Sequence, residues 1–150
     1  MKDAVTVHMK APADAVWDLV SDVTRIGEFS PETFEAEWLG GATGPAVGAR
    51  FRGHVNRNNK GVKYWTECQV TESVPGKAFA FDVVVGSRVV NSWRYDIEPA
   101  GDGTDVTESF ALDQNIGSRL YWLLLGWARG RTNREGMRTT LNRIKAVVES

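Results

Sequence analysis

This chain of 150 residues contains only one cysteine and two histidines, and its positive and negative charges are nearly balanced. The lone Cys68 cannot form an internal disulfide. The formal net charge is only -1, so the composition lacks both the basic footprint of a general nucleic-acid-binding protein and a strongly cationic membrane surface. We therefore predict no nucleic-acid partner.

Long apolar runs are missing as well. The longest strongly apolar stretch, LYWLLLGWA at Leu120–Ala128, is about half of a membrane-spanning helix. The opening MKDAVTVHMK has no apolar region long enough for a secretory signal. These features predict a cytoplasmic protein without a membrane span, and the length suits a single domain over residues 1–150.

The sequence also lacks recognisable catalytic and cofactor motifs. His8 and His54 fall on the polar faces of predicted strands, and no nucleophile–base set is visible. The histidines, the cysteine and the scattered carboxylates show no close metal-ligand spacing. No GK[ST] follows the glycines between Gly40 and Gly48, so a phosphate loop is not indicated. We predict no metal and no cofactor.

Hydrophobic periodicity, by contrast, runs through the whole chain. Alternation in AVTVHM predicts a first strand, and apolar residues at helical spacing in PADAVWDLVSDV predict a helix, followed by a helical turn over residues 24–29. Glycine, proline or asparagine bounds six further predicted strands, at residues 34–40, 49–58, 61–74, 77–86, 88–98 and 104–112. Their short connections favour an antiparallel meander.

The last part of the chain predicts one long helix, from about Gly117 to Val148, because no proline interrupts its apolar stripe. The stripe comprises Ile116, Leu120, Leu123, Trp127, Met137, Leu141, Ile144 and Val148. The resulting β-α-α-β6-α order describes an α+β domain in which a curved antiparallel sheet wraps around the C-terminal helix.

A carboxylate interrupts the inner face of the last predicted hairpin, WRYDIEPAGDGTDVTESF. Alternation places Glu108 between Val106 and Phe110 on the apolar face of its strand. An unpaired buried carboxylate is costly, so Glu108 must be hydrated, partnered or protonated, unless a bulge turns it outward. Asn91 and Tyr95 share the inner face of the adjacent strand and can add hydrogen bonds.

A second charge is predicted to point inward from the long helix. Arg134 lies seven residues from both Trp127 and Leu141, which places it in the middle of the apolar stripe. We expect Glu108 and Arg134 to border the same space, where they would pair and present a polar spot to a ligand. The alternative is a structural ion pair, or two side chains that reach solvent separately.

Four segments that together span nearly the whole chain carry a family resemblance: APADAVWDLVSDV, WTECQVTESVPGKAFAFDV, SWRYDIEPAGDGTDVTESF and RTTLNRIKAVVES. They resemble the START-like superfamily, also called SRPBCC or helix-grip, and most closely its polyketide cyclase/dehydrase-type branch. The resemblance implies a helix-grip fold with a largely apolar internal cavity between sheet and helix. Some relatives are cyclases or dehydratases of aromatic polyketides, and others carry lipids, hormones or quinones.

In such a cavity, inner-face residues would contact an apolar aromatic, polyketide-like or lipid-like molecule. The predicted ligand-binding residues are Trp38, Phe51, Tyr64, Phe79, Phe81, Asn91, Trp93, Tyr95, Glu108, Phe110, Trp127, Arg134 and Met137. Glu108, Tyr95 and Arg134 are also the candidates for moving a proton in a cyclase or dehydratase reaction. A lipid or quinone carrier without catalysis and a protein-interaction module remain open alternatives.

Tyr121, Trp122 and Leu125 project away from the stripe and leave the start of the helix apolar nearly all round. We expect something to cover this second face, either the loop around Phe29 to Phe34 or a homodimer contact. A surface for membrane delivery of a ligand is the third possibility.

Overall fold

The computed structural model describes residues 2–56, 63–112 and 134–150. Its strands are β1 (Lys2–Met9), β2 (Thr33–Leu39), β3 (Arg50–Asn56), β4 (Lys63–Val74), β5 (Ala78–Val85), β6 (Arg88–Ala100) and β7 (Gly103–Leu112). Helix α1 (Ala13–Ser21) and a 3-10 helix (Val23–Glu28) connect β1 to β2. A helix that we call α2 covers residues 134–148.

The strands form one antiparallel sheet in the order β1-β7-β6-β5-β4-β3-β2. Strands β2 to β7 pair with their chain neighbours, and β1 closes the order by pairing with β7. The predicted α+β class and helix-grip architecture, a curved antiparallel sheet with a C-terminal helix, are confirmed. The predicted start of the long helix, residues 117–133, lies outside the described residues.

The two helical segments after β1 form for local reasons. In α1, Val16, Leu19 and Val20 recur at helical spacing and are buried against the sheet. Asp22 caps the 3-10 helix, because its side chain accepts a hydrogen bond from the Thr24 backbone N–H at 3.1 Å. The cap lets the chain turn sharply, and Phe29 follows as a buried anchor.

The core lies between the inner face of the sheet and the helices. Alternate residues of β7 are buried, from Thr104 to Phe110, whereas the intervening residues are partly exposed. On α2, Met137, Leu141 and Ile144 are at most 1% exposed and pack into the same core. Full burial of each such side chain contributes about 1.5–3 kcal/mol, so α2 is anchored mainly by this apolar face.

The first residues of β2 depart from simple alternation. Strand alternation with Trp38 predicts the inner face for Phe34, but Phe34 is 41% exposed and its ring lies 4.4 Å from that of His54 on the outer face. The register with β3 shifts between Thr33 and Glu35, as at a β-bulge, and this shift reverses the side on which Phe34 projects. The expectation for Phe34 was therefore wrong.

In the described parts of the chain, no helix has the length and apolar character needed to cross a membrane.

Candidate functional site

A pocket of about 160 Å³ lies between the inner face of the sheet and α2. Phe51, Phe81 and Trp93 form an aromatic wall, and the Phe51 and Phe81 rings meet edge to face at 5.1 Å between centroids. Met137 contributes the opposite wall from α2. The pocket is therefore apolar over most of its surface, with a smaller number of polar residues in its lining.

Glu108 lies in this pocket and is only 4% exposed. The Tyr95 hydroxyl donates a hydrogen bond to Glu108 Oε2 at 2.9 Å. The other carboxyl oxygen, Oε1, is buried and has no hydrogen-bond partner among the described residues. Burial raises the pKa of Glu108 to about 8, and the Tyr95 hydrogen bond opposes this rise. Glu108 is thus a neutral acid near pH 7.

Tyr95 remains a neutral donor over the same pH range. Its side chain is buried, and burial together with the neighbouring Glu108 raises its pKa well above 10. The pair arises from sheet register, because Tyr95 on β6 lies directly opposite Glu108 on β7. Val5 on β1 flanks Glu108 on the other side.

Asn91 supplies a second polar group from β6. It lines the pocket, and its amide oxygen Oδ1 is buried without a hydrogen-bond partner among the described residues. Asn91, Trp93 and Tyr95 alternate along one face of β6, so Trp93 separates the amide from the tyrosine. The pocket therefore carries two polar positions on either side of an aromatic ring.

Arg134 does not pair with Glu108, contrary to the sequence prediction. Its guanidinium Nε lies 3.0 Å from Asp3 Oδ2, and its side chain is 63% exposed. The backbone position agrees with the apolar stripe, but a long arginine side chain can carry its charge away from the stripe to water. Asp3 at the edge strand β1 offers a partly hydrated partner, which costs far less than charge burial in the pocket.

Comparison with known proteins places this arrangement in a family. The sequence matches the family described as "Polyketide cyclase / dehydrase and lipid transport" over residues 3–149. The chain belongs to this family. No curated protein matches it in sequence.

Solved structures share the fold of this family member. A protein from Nitrosomonas europaea is 13% identical, with 99% of this chain and 94% of that chain covered and a TM-score of 0.72. A polyketide cyclase-like protein from Corynebacterium glutamicum is 29% identical, with 99% and 85% covered and a TM-score of 0.56. The di-domain ARO/CYC protein BexL from the BE-7585A biosynthetic pathway is 22% identical, with 99% of this chain but 46% of BexL covered and a TM-score of 0.71.

Not all of the residues predicted to bind ligand lie at the pocket surface. Those that line it are Phe51, Tyr64, Phe81, Asn91, Trp93, Tyr95, Glu108 and Met137. Trp38, Phe79 and Phe110 lie on the inner side, but they belong to the packed core and are not among the lining residues. The Phe110 ring packs at 4.8 Å from that of Trp93, between centroids. Alternation predicts which face of the sheet a residue lies on. Packing determines which inner-face side chains reach the pocket surface and which lie in the core behind them.

Other predicted positions fall outside the described residues. These are Trp127, predicted to bind ligand, and the predicted dimer residues Tyr121, Trp122 and Leu125.

Sequence reasoning missed the part of the pocket wall formed by the 3-10 helix and the residues after it. Ile26, Phe29 and the segment 30–33 line the pocket. Ser30–Pro31 was interpreted only as a helix break, and a turn signal does not show which face of a fold the turn approaches. Thr140 on α2 also lines the pocket and was missed. Its hydroxyl donates a hydrogen bond to the Gly136 carbonyl at 2.8 Å, as a threonine on a helix surface commonly does.

The surroundings of the cysteine and of the two histidines are those of structural residues. Cys68 lines the pocket as a buried thiol whose pKa burial raises to about 12, so little thiolate is present at neutral pH. His8 bonds to Asp102 and Asp105 at the protein surface. His54 stacks on Trp65 at 4.2 Å on the outer face. Within the described ranges, no three His, Cys, Asp or Glu side chains cluster as metal ligands would.

Proposed function

We propose that this protein binds an apolar small molecule in the pocket between the sheet and α2. The observation that carries the proposal is a buried carboxyl oxygen, Glu108 Oε1, left without a hydrogen-bond partner among the described residues in a largely apolar pocket. Such a group costs free energy in the empty protein, and a ligand that hydrogen-bonds to it recovers that cost. The single-domain organisation over residues 1–150 and a cytoplasmic location belong to the same proposal.

The size of the pocket limits how much of a ligand it encloses. At about 160 Å³ it is close to the roughly 150 Å³ apolar cavity that accommodates benzene in another protein, and below the roughly 300–1,000 Å³ of drug-sized sites. We infer that one ring of an aromatic, polyketide-like or lipid-like ligand is enclosed, while the remainder extends toward the opening. Family membership supports this ligand class, because the family description names polyketides and lipids.

Proton transfer to the bound molecule is the second candidate, as a cyclase or dehydratase would require. The observation that favours it is the Glu108 pKa of about 8, because a general acid or base is most effective when its pKa lies near the working pH. Tyr95 would hold the carboxyl in place through its hydrogen bond. A carrier needs only the binding step, so Glu108→Gln would abolish turnover of a substrate but leave a carrier's binding largely intact.

Gly136 provides a way to block the pocket without damaging the fold. It lies on α2, lines the pocket one turn before Thr140, and a Cβ added there meets no atom of the described residues within 4 Å. Gly136→Leu should therefore fill the pocket. Gly136→Ala is the matched control, since it gives the same gain in helix propensity, about 1 kcal/mol, with a much smaller side chain.

The test is native mass spectrometry of the gently purified protein and both variants, before and after incubation with an apolar extract. We expect a small molecule on the wild type and on Gly136→Ala, identified after denaturation, and at least a tenfold lower occupancy on Gly136→Leu. Equal occupancy on all three proteins would place the ligand elsewhere. An empty wild type after incubation would contradict the proposal and favour a protein-interaction role.

A further inference from the structure

Two residues that line the pocket each carry a buried oxygen atom whose hydrogen-bonding capacity is unused by the described residues. Asn91 Oδ1 and Glu108 Oε1 both lack partners among the described residues, and both residues line the pocket. Buried polar groups are almost always paired in folded proteins. Two exceptions in one pocket indicate contacts that a ligand completes.

The two atoms differ in hydrogen-bond polarity. An amide oxygen only accepts a hydrogen bond. Glu108 accepts from Tyr95 at Oε2, so the proton of its acid form is carried by the free oxygen Oε1, which then donates. The unpaired atom at Asn91 is therefore an acceptor, and the unpaired atom of the protonated Glu108 is a donor.

Sheet geometry gives the separation of the two positions. Glu108 lies opposite Tyr95, and Tyr95 is four residues from Asn91 on β6, which is roughly 13 Å at about 3.3 Å per residue. This backbone separation, less a hydrogen bond of about 2.8 Å at each end, allows roughly 7 Å between a ligand's two polar groups. That is close to the span of an aromatic ring with substituents in para positions, lying along Trp93.

The charge of the ligand is also restricted. Among the described residues, no lysine, arginine or histidine lines the pocket. The other titratable residues that line the pocket are Tyr95 on β6, Tyr64 and Cys68 on β4, and Glu32 in the segment before β2. None of them supplies a positive charge, so an anionic ligand would lose its hydration without compensation.

We propose that Asn91 and Glu108 set the specificity of this pocket: Asn91 Oδ1 accepts a hydrogen bond from a ligand hydroxyl, and Glu108 Oε1 donates one to a ligand carbonyl oxygen. The inference rests on the proposed function and adds the ligand's chemistry. The preferred ligand has an uncharged, flat apolar body with a hydroxyl at one end and a carbonyl at the other.

Four single-ring probes of nearly equal size separate the two contacts: 4-hydroxyacetophenone, acetophenone, 4-ethylphenol and ethylbenzene. Dissociation constants would be measured at pH 6.5 by NMR titration of the Met137 methyl signal. Each neutral hydrogen bond contributes about 1 kcal/mol, so each polar group should tighten binding about fivefold. The anion 4-hydroxybenzoate should bind at least tenfold more weakly than 4-hydroxyacetophenone.

Variants assign each preference to its residue. Asn91→Leu should remove only the advantage of the hydroxyl, and Glu108→Met only that of the carbonyl. Glu108→Gln should keep the carbonyl preference, because its amide can accept from Tyr95 and still donate to the ligand. Glu98→Met, at an exposed glutamate of β6 outside the pocket, is the control that should leave every ratio unchanged.

A pH series with the two non-ionising probes, acetophenone and ethylbenzene, gives an independent readout. The Glu108 pKa of about 8 predicts that the wild type loses its preference for acetophenone between pH 6.5 and 9.5. Glu108→Gln should keep it at both pH values. Equal affinity of the wild type for all four probes would overturn the inference while leaving apolar binding intact. Binding of none of them would overturn both proposals.

Discussion

Burial determines the protonation state of a single residue, Glu108. A carboxylate in this position would need a cation, and the nearest candidate from the sequence, Arg134, binds Asp3 at the surface instead. Glu108 is accommodated as a neutral acid with one hydrogen bond, from Tyr95. The protein thus avoids an uncompensated buried charge and retains a donor inside an apolar pocket.

Tyr95→Phe tests this account directly. The change removes the hydrogen bond that lowers the Glu108 pKa, so we expect that pKa to rise above about 8. It also leaves a second buried carboxyl oxygen unpaired, which should cost about 1–3 kcal/mol in the free energy of unfolding. Carboxyl 13C NMR titration and urea denaturation measure the two effects.

Tyr64→Phe is the matched control for Tyr95→Phe. Tyr64 lines the same pocket but is 41% exposed, so loss of its hydroxyl should leave both the Glu108 titration and the stability nearly unchanged. A lower Glu108 pKa in Tyr95→Phe would contradict the assigned role of the tyrosine.

The sequence was sufficient to place Glu108 on the inner face but not to identify its partner. Strand alternation is a local property, and it correctly located Tyr95 and Glu108 on the same side of adjacent strands. The Arg134 prediction failed because periodicity locates a Cβ atom, whereas the charge sits at the end of a long flexible side chain. The choice between Glu108 and Asp3 depended on solvent access, which only the assembled fold defines.

At the scale of elements, the strands were predictable because alternation and turn residues recur in series. The predicted strand at residues 104–112 corresponds to β7, Gly103–Leu112, and that at 88–98 corresponds to β6, Arg88–Ala100. The bulge near Phe34 was not predictable, since it arises from pairing of β2 with β3. Ile26 of the 3-10 helix lines the pocket, and the local sequence did not indicate this position.

The pairing of β1 with β7 depends on a close backbone approach at Gly103. A Cβ added there would lie 2.0 Å from the Met9 carbonyl oxygen, so the strands would have to separate. We expect Gly103→Ala to lower the free energy of unfolding by about 1–3 kcal/mol.

Gly44→Ala is the control for this substitution, because an added Cβ at Gly44 meets none of the described atoms within 4 Å. It should change stability by less than about 1 kcal/mol. Urea denaturation of both variants at pH 6 measures the difference, and equal stability of Gly103→Ala and the wild type would refute the close approach.

For the whole molecule, His8 and Glu108 both make stability decrease as pH rises. His8 bonds to Asp105 through Nδ1 at 2.7 Å and to Asp102 through Nε2 at 2.6 Å, joining β1 to the β6–β7 turn. These two hydrogen bonds raise the His8 pKa above 6.5. Only the protonated imidazole donates to both carboxylates, so this stabilisation is present below pH 6.5 and is lost as pH rises through the raised pKa.

Glu108 also lowers the stability as pH rises, although it is an acid. Its pKa rises from 4.5 to about 8 on folding, so between these values the folded state holds more protons than the unfolded state. Stability therefore falls as pH rises through this range, by an amount on the order of a few kcal/mol. Asp102, Glu28 and Glu149 have lowered pKa values, and their stabilisation is lost only in more acidic solution.

We therefore expect the free energy of unfolding to decrease between pH 5.5 and 8.5, measured by urea denaturation at constant ionic strength. His8→Asn should remove the part of the slope that belongs to the surface cluster, and Glu108→Gln the larger part that belongs to the pocket. The two sites do not touch and share no partner, so the double variant should lose the sum of both slopes. A wild type whose stability is constant or rises over this range would show that Glu108 is already ionised in the folded protein, and the acid that the pocket offers to a carbonyl ligand would be absent.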